Sequence, residues 1–131
     1  MNADMKPDVL RRSPPGEFLT DEGCFILELL NTLEDESISV ARARVVPNAT
    51  TQLHRLVGID ERYLITDGVG EVEIGGTTTQ TVKPGDVVLI PDGTSQRIRN
   101  TGRSDLSFLC ICTPRFDPAA YQALEHQVPD T

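Results

Sequence analysis

Apolar and polar positions alternate with a period of two along most of this chain, in short runs punctuated by Gly and Pro, which is the pattern of half-buried β-strands. In ISVARARVV (38–46), Ala41, Ala43 and Val45 fall on one face while Val40, Arg42 and Arg44 fall on the other. CFILELLN (24–31), TTQLHRLVGI (50–59) and ERYLITDG (61–68) read as further strands, the last closed by Asp67-Gly68. EVEIGGTTTQTV (71–82) predicts a hairpin, because Gly75-Gly76 accepts the positive φ values of a two-residue turn. VVLIP (87–91) is apolar almost throughout, as a strand buried on both faces is. SQRIRN (95–100) and LSFLCICT (106–113) complete the set, with turns at Lys83-Pro84-Gly85-Asp86, Pro91-Asp92-Gly93 and Asn100-Thr101-Gly102.

The two ends differ from the middle. Residues 1–16 are polar with three prolines and read as a flexible N-terminal arm, leaving 17–131 as one domain. At the other end Asp117-Pro118 is a helix start, since Asp can accept from free backbone donors and Pro fits the first helical position. With Phe116 and Tyr121 at the spacing of a hydrophobic staple, a short helix over 118–126 is expected, packing Tyr121 and Leu124 on the barrel. Eight or nine short strands and one terminal helix make an all-β sandwich or barrel.

Composition narrows the partners. The 131 residues, 38% of them hydrophobic, suffice for one domain with a real core. A net charge of -8, with the basic residues scattered, argues against nucleic acid and anionic membrane. No basic start followed by an apolar run marks a signal peptide, and no apolar stretch approaches the roughly 20 residues of a membrane helix, so a cytoplasmic protein is expected. Cys24, Cys110 and Cys112 read as reduced thiols acting as small apolar side chains; Cys110 and Cys112, two apart, share a strand face.

Residues that could do chemistry gather in 48–100: His54, Glu61, Tyr63 and Gln96. Tyr63 shares the strand parity of Glu61, which makes it a core ring with a satisfied hydroxyl or a pocket-lining donor. Ile65, Ile98 and Phe108 phase inward as cavity wall, and Arg97 and Arg99, of opposite parity to Gln96, phase outward to solvent or a subunit interface. His54 could hydrogen-bond Glu61 or Gln96 as a structural network, Glu61 could sit solvated at a rim, and His126 reads as a tail residue.

The spacing within this stretch resembles the cupin superfamily. His54, Leu56, Glu61 and Gly68 match the first cupin motif, and Gly85, Pro91, Gly93, Gln96 and Asn100 the second. The resemblance implies a cupin double-stranded β-helix, a jelly-roll barrel, whose motif strands line one open end. It also implies a divalent transition metal (iron, manganese, zinc or nickel) held by three histidines and a glutamate inside the barrel. Only His54 and Glu61 keep those ligand positions; Leu56 stands where a second histidine is usual, and Gln96 where a third is. An amide oxygen is a weaker ligand than imidazole, and Leu has no lone pair. The metal set expected from the resemblance is therefore His54, Glu61 and Gln96, with Leu56, Tyr63, Ile98 and Phe108 lining a ligand pocket. Two functions follow: a small-molecule-binding monocupin, or a metal-dependent enzyme (oxygenase, isomerase or lyase) acting on a small polar metabolite. Metal-free acid–base chemistry by His54 and Glu61 is a third. A homodimer is expected, with the arm and the apolar strand around Phe25 to Leu30 as its interface.

Overall fold

The computed structural model describes residues 5–11, 16–76 and 79–125. Among them the chain forms β1 (Phe18–Leu19), β2 (Phe25–Leu30), β3 (Ser39–Val45), β4 (His54–Leu56), β5 (Asp60–Asp67), β6 (Gly70–Ile74), β7 (Thr79–Val82), β8 (Val87–Ile90), β9 (Gln96–Asn100), β10 (Leu106–Thr113) and β11 (Tyr121–Ala123). The strands pair antiparallel into two sheets, ordered β1-β2-β3-β10-β5-β8 and β11-β4-β9-β6-β7. Strands distant in sequence lie side by side, β3 with β10 and β4 with β9, as in a jelly roll.

The inward positions of the two sheets meet in one core. Val45, Ile65, Ile98, Leu106 and Phe108 are each at most 2% exposed, and each such side chain contributes about 1.5–3 kcal/mol by leaving water. The turns follow their residues. Pro84 and Gly85 occupy the centre of a type II turn, with Gly85 at φ 94° and the Asp86 N–H donating to the Lys83 carbonyl at 3.1 Å. Gly68 has a second reason to be glycine: a Cβ there would lie 2.6 Å from the Asp105 carbonyl oxygen. Asn100 closes the barrel from inside, fully buried, donating to the Val45 and Ser104 carbonyls and accepting from the Gly102 N–H.

Four expectations are corrected. The strand β8 is buried on one face only: Val88 and Ile90 point into the core while Val87 and Leu89 are exposed. The C-terminal helix over 118–126 is only a 3-10 turn at Pro118–Ala120, after which the chain becomes β11. Asp117 does cap it, accepting from the Ala119 N–H at 3.0 Å. The open edge of β4, however, offers backbone partners that so short a helix cannot match: Tyr121 pairs with Leu56 and Ala123 with His54. The strand expected over 50–59 is regular only at His54–Leu56. The β6–β7 connection is longer than a two-residue turn, since Glu73 pairs with Thr79, although Gly75 and Gly76 both adopt positive φ. A short strand that the pattern did not predict, β1, extends the larger sheet beside β2. His126 lies outside the described residues, and no described helix is long and apolar enough to cross a membrane.

Candidate functional site

Between the sheets lies a cavity of about 420 Å³. Strand alternation delivers its wall: His54 and Leu56 from β4, Glu61 and Tyr63 from β5, and Phe108, Cys110 and Cys112 from β10. The turn before β2 adds Glu22, and the 3-10 turn and β11 add Pro118 and Tyr121. Gln96 and Ile98 face inward from β9 but are sealed behind this wall, 0% and 1% exposed, and do not line the cavity. Arg97 and Arg99 lie on the outer face, where Arg97 meets Glu73 at 2.9 Å.

His54 is oriented by three contacts. Its Nδ1 lies 2.7 Å from the Gln52 carbonyl oxygen, its ring stacks on Tyr121 at 4.7 Å, and its Nε2 faces Glu22 Oε2 at 3.5 Å. A carbonyl oxygen only accepts, so Nδ1 carries a proton and, in the neutral ring, Nε2 carries the lone pair. The ring is thus held by Gln52 and Glu22, and not by the Glu61 or Gln96 partners that strand parity allowed. Glu22 was not legible as a site residue, because its neighbourhood to His54 arises from the packing of a turn against β4 and from no spacing in the sequence.

Glu61 is buried, not solvated at a rim. Its Oε2 is 3.7 Å from the Cys112 thiol, and its Oε1 has no partner. Burial pushes its carboxyl up to about 7, reinforced by the Glu22 carboxylate and opposed by the Gln96 amide and the Cys112 and Cys110 thiols. Tyr63 donates its hydroxyl to Gln96 Oε1 and packs its ring on Phe108 at 4.5 Å, leaving Gln96 Nε2 unpaired. Cys24, Cys110 and Cys112 are free thiols, and burial, together with nearby carboxylates, raises all three, Cys112 to about 12. They are weak nucleophiles at neutral pH.

The donor set does not fit a tightly held transition metal. Leu56 has no lone pair, the Gln96 carbonyl is taken by Tyr63, and among the described residues no three His, Cys, Asp or Glu side chains converge to hold an ion. Proton exchange is what the wall can do unaided: His54 Nε2 can accept a proton, and Glu61 exchanges one near neutral pH.

The cupin domain family matches residues 41–112, more than half of the chain. The chain belongs to the cupin family. This cupin is 32% identical over 110 residues to an uncharacterized protein of Methanocaldococcus jannaschii, covering 82% of this chain and 87% of that one. It is 37% identical over 71 residues to an oxalate-binding protein of Thermotoga maritima, covering 54% and 58%. Among solved structures, one described as a predicted oxalate decarboxylase from Thermotoga maritima superposes with a TM-score of 0.67 at 28% identity, covering 76% of this cupin and 91% of that chain.

Proposed function

We propose that this cupin binds a small molecule inside its barrel, in the cavity walled by His54, Leu56, Glu61, Tyr63 and Phe108. One observation carries the reading: a cavity of about 420 Å³, the size of a ligand pocket, has the buried side chains of His54 and Glu61 in its wall. Leu56 and Phe108 give the wall its apolar part, and Glu61 and His54 a few fixed polar groups, as small-molecule sites combine them.

The metal-dependent enzyme reading would rest on His54 and Glu61 alone, which is too few donors for a resident ion. Oxalate, suggested by the Thermotoga maritima relative, would meet Glu22 and Glu61 in a cavity with no Lys or Arg in its wall. A free dianion has no counter-charge there.

Thermal stabilisation by a library of small metabolites tests the pocket, with Ala41→Phe as the control that fills it from β3. Ligands should stabilise the native protein and lose their effect on the variant. A library without a single stabilising compound, or equal binding by the filled variant, would overturn the reading.

A further inference from the structure

β10 ends at Thr113 in the larger sheet, and the chain then crosses to the smaller sheet, where it becomes β11 beside β4. Phe116 is the fixed end of the crossing. Its N–H donates to Ser39 Oγ at 2.8 Å, and its carbonyl accepts from Asn31 Nδ2 at 3.0 Å. Beyond it, Pro118 and Tyr121 form part of the cavity wall beside His54 and Leu56. None of residues 117–125 is buried, and β11 is a strand of three residues at the edge of its sheet among the described residues. A segment without a buried side chain has little apolar contact to hold it, so a few hydrogen bonds near solvent set the cost of opening it. The Val57 N–H donates to the Ala120 carbonyl at 2.9 Å, the Leu124 N–H to the Leu53 carbonyl at 2.9 Å, and the Tyr121 hydroxyl to Gln52 Oε1 at 2.7 Å. The exposed Gln122 and Glu125 side chains add bonds from Arg55 and from the Leu53 N–H. Inward, the Tyr121 ring stacks on His54 at 4.7 Å and packs, with Phe116 and Ala120, on the buried trio Leu56, Ile59 and Cys112. That trio is a cluster separate from the main core. It can therefore be uncovered without parting the barrel.

We propose that residues 117–125 are a lid on the cavity, which opens as a unit by releasing β11 from β4 and withdrawing the Tyr121 ring from His54. The proposal rests on the binding function above and names the moving part that admits a ligand and closes behind it. Opening leaves the main core, with Ile65, Ile98 and Phe108, in place.

Two native thiols read the opening without any ligand, so failure of the lid and failure of the binding function stay distinct. Cys112, 3% exposed, lies beneath the lid; Cys24, 2% exposed, belongs to the main core and is contacted by Thr20 and Glu22, outside the lid. Iodoacetamide added to the full chain, with each thiol followed by mass spectrometry of its peptide, should modify Cys112 in proportion to the open fraction of the lid. Tyr121→Phe keeps the ring on His54 and loses the bond to Gln52. It should raise the Cys112 rate roughly two- to tenfold, the worth of one hydrogen bond, with the Cys24 rate unchanged. Tyr121→Ala, which also removes the ring, should raise the Cys112 rate further. Urea below the unfolding transition should hardly alter that rate, because a local opening exposes little surface. Cys112 rates unchanged in both variants would overturn the lid. So would Cys24 and Cys112 accelerating together with a steep dependence on urea, which marks unfolding of the whole barrel.

Discussion

Tyr63 gives its hydroxyl proton to the Gln96 side-chain carbonyl between the two sheets, and that one bond decides what Gln96 can do. The amide oxygen that would have been the third metal ligand is occupied, and the amide acts on the Glu61 carboxyl, opposing the rise that burial gives it. Tyr63→Phe removes the donor and leaves the Gln96 carbonyl buried without a partner. It should cost about 1–3 kcal/mol in urea unfolding. Adding Gln96→Leu should recover part of the loss, because replacing both partners by apolar groups removes the orphaned one; a double variant that loses the sum of the two single costs would refute the pairing.

Glu61 should make stability depend on pH in an unusual direction. Its folded carboxyl titrates near 7 against an ordinary 4.5, so below about 7 the folded state holds a proton that the unfolded state releases until pH 4.5. Its contribution therefore rises as pH falls from 7 to 4.5 and is lost above 7. At roughly 1.4 kcal/mol per pH unit, the ionised side chain costs the fold on the order of 3 kcal/mol at pH 8. Glu61→Gln, permanently neutral, should melt several degrees higher at pH 8 and flatten the pH dependence between 5 and 7. An unchanged melting temperature at pH 8 would mean that the side chain is solvated.

Histidines restored at the two departed positions should create a metal site. Leu56 and His54 share the inward face of β4, and Gln96 is the cross-strand neighbour of His54. Leu56→His with Gln96→His should give zinc- or nickel-dependent thermal stabilisation that the natural chain lacks. Equal stabilisation of the natural chain would show that His54 and Glu61 suffice.

For the homodimer expected from the sequence, we propose the edge of the larger sheet as the interface. Phe18, Leu19 and Leu29 expose 49%, 63% and 39% of their surface on the neighbouring strands β1 and β2, and among the described residues β1 is the edge of its sheet. Light scattering should give twice the chain mass for the full chain and the chain mass for one starting at Thr20. An unchanged mass would remove β1 and the arm from the interface.

Much of the barrel was legible because its cues are local. The alternation in ISVARARVV and the Pro84-Gly85 turn act within a few residues, and the backbone has few ways to satisfy them. Strand parity likewise placed His54, Glu61, Tyr63 and Gln96 on inward faces. The helix expected after Asp117 failed because its cue was equally local, while the unpaired edge of β4 was not. Parity states which way a side chain points and leaves open what it meets. Only the tertiary structure brought Glu22 to His54, gave the Gln96 carbonyl to Tyr63, and left a cavity where Leu56 and Phe108 might have closed the core. Those outcomes depend on contacts between segments far apart in the chain, where small differences in packing decide whether a polar atom finds a partner or waits for one.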